Sequence, residues 1–301
     1  MKTNLTLALF LFSIISVHAQ NDTTRYWKTS GSASINFNEN YFSNWAAGGA
    51  NAYGAVGKLV MDANYKKNKK IWTNHVKMAL GYSVLEGSKW QKTVDQIEWT
   101  SIYKSQLNKK WLFTVLSSFK TQFANGYDYK VDSSTVISGF LSPMTLEIGP
   151  SMQYIFSKHL TTYLSPATPR LIYVNSQRIA DNGSFGLKPA VKDSTGQIIT
   201  HAKKYTLGFG MNILIVLDYP IAKNVKLNSR LSLYSDYFHN PQNIDVDWQV
   251  LLGMKVNNWL NVDISTQLLY DDDVMITDKN GNIGPRVQFK QLLLVGVGYK
   301  F

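Results

Sequence analysis

The chain has 301 residues, a formal net charge of +11, 17 Tyr and 8 Trp among its 13% aromatics, and no cysteine. The lack of cysteine excludes disulfides and a lipid anchor on an N-terminal cysteine, so an exported fold of this size needs a large core or a closed hydrogen-bond network. No stretch beyond residue 19 reaches the ~18 consecutive apolar residues of a spanning helix, which argues against helical membrane spans.

The N-terminus reads as an export signal. Lys2 precedes an apolar run that includes Leu5, Leu9, Phe10, Leu11, Phe12, Ile14 and Ile15, and Val17 and Ala19 sit at −3 and −1 of a cleavage site after Ala19. This order of charge, apolar run and small residue predicts a signal peptide over 1–19 and a mature domain over 20–301. The other reading of the same residues is a buried N-terminal strand or helix. Export argues against nucleic acid as the partner of the basic charge. Lysines in turns and on inward faces, near anionic lipid, account for it instead.

Period two dominates the rest of the chain. Odd positions from Tyr205 read Tyr205, Leu207, Phe209, Met211, Ile213, Ile215, Leu217 and Tyr219. Between them stand Thr206, Gly208, Gly210, Asn212 and Asp218, with Leu214 and Val216 breaking the polar side. One apolar and one polar face is the signature of a strand. The run exceeds the ~5–6 residues of a typical globular strand and reaches the ~9–11 of a tilted membrane strand. Similar alternation predicts twelve strands, over 27–37, 51–66, 71–86, 93–107, 111–123, 144–156, 160–174, 204–219, 225–237, 244–256, 260–270 and 287–301. The seventh is the weakest, because Pro166 and Pro169 remove ladder donors.

Connection lengths alternate. Lys67–Lys70, Asn108–Lys110, Ser157–His159, Pro220–Asn224 and Asn257–Trp259 are short, whereas 38–50, 87–92, 124–143, 175–203, 238–243 and 271–286 are mostly longer. Short turns on one side and long loops on the other fit the two faces of an outer-membrane barrel. Trp72, Trp111 and Trp259 fall in or beside short turns, where an interfacial aromatic belt belongs. The expected fold is all-β, an antiparallel transmembrane β-barrel of about 12 strands. A soluble sandwich or lipocalin-like barrel also alternates, and periodicity cannot say which face points outward. Strand length, flanking aromatics and loop alternation favour the membrane. Residues 20–26 leave no room for a plug domain, and no domain is expected after Phe301.

If the apolar faces meet lipid, the lumen receives Lys58, Asp62, His75, Lys77, Glu98, Lys120, Glu147, Arg230, Asp247, Lys255, Asp263 and Lys290, together with Lys104, Asp236, Asp245 and Lys300. Two readings stay open: a solute path lined by charges, or an ion-paired interior that fills a narrow barrel. Asp271, Asp272 and Asp273, followed by Asp278, Asn280 and Asn282, could supply hard oxygen ligands to calcium. Gly281 falls at the wrong place for an EF-hand, and a solvated loop with an Asn280-Gly281 turn is the simpler reading. A hydrolase would need a serine, a histidine and an orienting group. The mature chain has His75, His159, His201 and His239, no G-x-S-x-G and no H-E-x-x-H,. No catalytic residue, cofactor or resident metal is expected.

The last residues, Val295, Gly296, Val297, Gly298, Tyr299, Lys300 and Phe301, resemble the C-terminal assembly signal of bacterial outer-membrane barrels, carried by Tyr299 and Phe301. The segment Phe42-Ser43-Asn44-Trp45-Ala46-Ala47-Gly48-Gly49-Ala50-Asn51 resembles a signature of a Bacteroidetes outer-membrane family known only as a domain of unknown function, with Asn44, Trp45, Gly48 and Gly49 as its motif. The resemblance implies an outer-membrane barrel and no substrate. Gly48-Gly49 permits a positive-φ turn or a close backbone approach. Trp45 is either the anchor of an inward-folded loop or part of an aromatic belt. The expected location is the cell outer membrane. The expected partners are outer-membrane lipid, lipopolysaccharide and the outer-membrane assembly machinery. The expected function is a passive channel or solute-uptake barrel. The alternative is a structural or accessory subunit of an envelope complex with a filled lumen, and an outer-membrane hydrolase comes third.

Overall fold

The computed structural model describes residues 26–40, 52–85, 87–129, 134–277 and 282–301. The signal segment 1–19, the segment 42–51 and residues 278–281 lie outside the described residues.

Twelve strands form one closed ring: β1 (Trp27–Asn40), β2 (Ala52–Lys67), β3 (Lys70–Leu85), β4 (Gln91–Gln106), β5 (Trp111–Thr121), β6 (Met144–Ile155), β7 (Leu160–Tyr173), β8 (Tyr205–Ala222), β9 (Val225–Asp236), β10 (Asp245–Lys255), β11 (Leu260–Tyr270) and β12 (Gln288–Lys300). Each pairs antiparallel with its chain neighbours. The ring closes where β12 meets β1, from Ser32 opposite Lys300 to Phe37 opposite Val295. Phe301 finishes the seam: its N–H donates to Gly31 O at 3.0 Å and its carbonyl accepts from Gly31 N at 2.8 Å. A closed ring leaves no sheet edge unpaired, which is how a strand protein satisfies its backbone without water. Among the described residues no helix is long and apolar enough to cross a membrane.

The alternation sorts the side chains. Ile35, Phe37, Ile148, Leu207, Trp248, Leu293, Val295 and Val297 are exposed on the outer wall. Two outward serines would be costly against hydrocarbon, and each has an indole donor from the next strand. Trp72 Nε1 donates to Ser101 Oγ at 2.7 Å and Trp248 Nε1 to Ser229 Oγ at 3.0 Å. Aromatics band both rims. On the short-turn rim Trp27 meets Tyr65 and Trp72, and Trp111 meets Tyr154 at 4.7 Å. On the other rim Tyr53 meets Trp90, and Phe209 meets Tyr237 and Phe238.

β7 is an intact strand of 14 residues despite its two prolines. The register against β8 steps from Thr168–Gly210 to Ser165–Asn212, so Pro166 sits in a bulge where no ladder donor is required,. Carbonyls freed by the bulge accept from tyrosines: Tyr237 Oη donates to Pro166 O at 2.8 Å and Tyr234 Oη to Thr168 O at 3.4 Å. Glycines flank the bulge on both neighbouring strands. A Cβ on Gly149 would lie 2.7 Å from Ala167 O, and one on Gly210 would lie 1.9 Å from Ser235 O.

Short turns gather on one rim, and β1 begins and β12 ends there. Two long connections on the other rim have structure of their own. At the start of the first, segment 122–143, the buried Asp95 carboxylate of β4 accepts the N–H groups of Phe123 and Ala124 at 2.7 and 3.0 Å and pairs with Lys92 at 2.6 Å. Segment 174–204 carries the short helix α1 (Gln177–Asp181) and a small core of Val174, Ile179, Ala180, Leu187 and Ala202. Phe185 and Gly186, both at positive φ (60° and 79°), turn the chain toward the barrel mouth.

Candidate functional site

The inward wall collects the charges. Lys58 and Asp62 on β2, His75 and Lys77 on β3, Glu98 on β4, Lys120 on β5, Glu147 on β6, Arg230 on β9, Asp247 and Lys255 on β10, Asp263 on β11 and Lys290 on β12 alternate with a mostly apolar outward set. The register joins some of them into arcs. Lys77, Glu98 and Lys120 are successive cross-strand partners on β3, β4 and β5. Arg230, Gln249, Gln267 and Lys290 are successive partners on β9, β10, β11 and β12.

The arcs meet across the lumen. Lys120 Nζ reaches Asp247 Oδ2 at 2.7 Å, joining strands five places apart in a ring of twelve. Gln249 and Gln267 also donate to Asp247, at 3.3 and 3.1 Å. Toward the short turns, Lys58 pairs with Asp263 at 3.0 Å and His75 with Asp62 at 2.8 Å. Lys255 Nζ donates to Asn258 Oδ1 at 3.0 Å instead of reaching a carboxylate. Lys104 lies over the Tyr163 ring at 5.6 Å.

Apolar side chains share the interior. Leu294, with Leu292, packs on Val56, Ala79 and Val94 from the other side of the β1 seam. Leu214 and Val216, the two residues that interrupt the polar face of β8, pack inward with Leu116, Tyr163 and Ile102. Their place in the alternation marked them as inward-facing, but nothing local showed that they would find partners there.

Arg170 is not among the expected lumen residues; the bulge at Pro166 changes which positions of its strand face inward. Arg170 stands at the centre of the long-loop mouth. Its guanidinium bonds Glu147 at 2.7 Å and Asp245, and lies 3.4 Å from the Tyr234 ring centroid. Around it opens a cavity of about 290 Å³, roofed by Phe185, Gly186 and Leu187 and walled by Asp236, Asp245 and Asp271–Asp273. The acidic run of the sequence thus splits: Asp271 and Asp272 approach Asp245, with one carboxylate oxygen from each within 4.8 Å of the others. Asp278, Asn280 and Gly281 lie outside the described residues. Asn282 is described, and is exposed just before a short strand at Ile283–Pro285. Burial pushes the Asp271 and Asp273 carboxyls up, and in Asp273 repulsion from Asp272 and Asp271 adds to it.

The histidines form no catalytic pair with serine among the described residues. His75, His201 and His239 each face an aspartate, and His159 Nδ1 meets the Asp218 carbonyl. This gives the hydrolase reading no geometric support.

A closed antiparallel ring with an apolar outer wall, aromatic bands at both rims and a charged interior defines an outer-membrane β-barrel. The family model described as "Protein of unknown function (DUF3078)" matches residues 37–127, under a third of the chain. No curated protein matches the sequence. Among solved structures, an outer-membrane channel from Pseudomonas putida F1 is 10% identical over 94% of this chain and 100% of that one, with a TM-score of 0.42. The NanC porin is 11% identical over 90% and 100%, with a TM-score of 0.39. The translocator domain of the autotransporter NalP from Neisseria meningitidis is 10% identical over 99% and 96%, with a TM-score of 0.35. These superpositions are weak, and the class rests on the ladder and on the two faces of the wall.

Proposed function

We propose that the chain is a narrow passive channel of the outer membrane. The observation that carries this reading is that charge stays open to solvent on both sides of the Lys120–Asp247 bridge. Lys290 is exposed beyond it, and toward the short turns the His75 and Asp62 side chains are 45% and 37% exposed. An interior sealed by ion pairs would bury such groups, since a charge withdrawn from water needs a full set of partners. The conducting path would run between the two apolar layers and past the bridge, which sets its narrowest level.

A second reading has its own support. The cross-lumen bridge and the apolar layers favour a filled barrel that serves as an accessory subunit and works through its long loops. Single-channel recording of the refolded protein in a planar bilayer separates the two, with heat-modifiable gel mobility as the folding control. Small, discrete current steps are expected. A folded and silent barrel would overturn the channel and favour the accessory subunit.

A further inference from the structure

We propose that the lumen holds a small oxyanion, of the phosphate or carboxylate class, at a girdle formed by Lys77, Lys120, Arg230 and Lys290. As the class of solute selected, this deepens the channel reading and rests on it. As a binding site, it stands without conduction.

The argument is one of charge balance in a confined space. Two acids, Glu98 and Asp247, face four cations. Glu98 is the cross-strand partner of both Lys77 and Lys120 and also lies in the field of Arg230. Asp247 is held by Lys120 and by two glutamine amides. Lys77, Arg230 and Lys290 form no salt bridge among the described residues. Lys290 and Lys77 come from different arcs, which the Lys120–Asp247 bridge brings together across the lumen. The girdle therefore carries two positive charges more than its carboxylates offset, inside a wall whose outer face is apolar. Such a surplus draws a mobile counter-anion, because the low-dielectric wall screens it poorly. Lysine and arginine N–H donors on rigid strands are suited to oxyanion oxygens. Lys290 is exposed, so a solute in the lumen can reach it.

The field changes sign close by. Asp245 stands two residues from Asp247 on β10, about 7 Å along a strand, and it joins Asp271 and Asp272 at the mouth. That acidic rim repels anions and confines them to the girdle from the long-loop side.

The test is calorimetric titration of inorganic phosphate into the refolded full-length barrel in non-ionic micelles, paired with reversal potentials in a KCl gradient. Saturable phosphate binding is expected, weakened about tenfold or more, which is about 1.4 kcal/mol, in Lys77→Gln/Lys290→Gln. Arg230→Gln gives an independent loss if the double variant does not fold. Glu98→Gln is expected to tighten binding, because it removes a competing negative charge. A girdle that merely braces the wall would not give that gain. No saturable binding by the native barrel, or equal affinity in all variants, overturns the site. A conducting barrel without anion preference overturns the selection and leaves the channel reading standing. A silent barrel that binds phosphate keeps the site and overturns the channel alone.

Discussion

Asp181 responds to pH in one sense, and Asp271 and Asp273 in the other. Burial raises the Asp181 carboxyl, but hydrogen bonds from Gln177, from the Ala202 N–H and from His201 outweigh it and hold the group below its ordinary value. A carboxylate with a lowered folded-state value gives stability that is complete above the unfolded value, about 3.9, and is lost as pH falls through the folded one. Segment 174–204 is therefore expected to stay closed throughout neutral and mildly acid solution. Asp181→Ala should open it at neutral pH, seen as rapid proteolysis in that segment with the barrel's gel mobility unchanged. If the segment stays protected, Asp181 is not its staple. For Asp271 and Asp273 the sign reverses. Their folded values are raised, so ionisation costs stability at neutral pH and acidification through the raised values relieves it,. Protection factors of residues 271–277, taken relative to the intrinsic exchange rate at each pH, should rise on mild acidification, and Asp272→Asn should produce part of that rise at neutral pH. Protection factors unchanged by both would show that the mouth is solvated well enough to screen the charges.

At the scale of the element, β7 shows how a strand survives residues that argue against it. The prolines are tolerated because the register steps at Pro166, tyrosines take up two carbonyls, and Gly149 lets the bulge close onto β6, while Gly210 on β8 admits β9. Gly210→Ala would drive a methyl into the Ser235 carbonyl, and a loss of about 1–3 kcal/mol is expected, the range of overpacking a filled site. Urea unfolding in lipid vesicles measures it, with Gly57→Ala as the control, since a Cβ there comes no nearer than 3.9 Å to Leu80 O. Equal stability of the two variants would mean that the approach of β9 to β8 is softer than its contacts suggest. β1 and β12 show the opposite case. Their alternation is plain in the sequence, and the pairing of Gly31 with Phe301 that closes the seam joins residues from the two ends of the chain.

For the whole molecule, the proposed channel would have its width set by one bridge between nearly opposite walls. Lys120→Ala/Asp247→Ala removes both partners, so no buried charge is left alone. Conductance of the double variant is expected to rise severalfold over the native barrel while gel mobility stays that of a folded ring. Unchanged currents would place the constriction elsewhere, at the Leu116–Tyr163–Leu214 layer or under the Phe185 turn.

The sequence by itself determined the strands, their hand of alternation and the turn and loop rims, because these follow from period two and from turn chemistry, which act between near neighbours. It named twelve strands, and twelve close the ring. It also sorted Lys77, Lys120, Arg230 and Lys290 onto one face. Only the tertiary structure decided which of them meet. Lys120 and Asp247 are 127 residues apart, and Leu214 meets Leu116 and Tyr163 only when the ring is closed. Arg170 is not among the residues the sequence placed in the lumen; the bulge at Pro166 shifts the alternation of its strand, and that bulge is set by the register with β8 and by Gly149 on β6. Closure fixes who faces whom across a lumen, and no periodicity along one strand carries that distance.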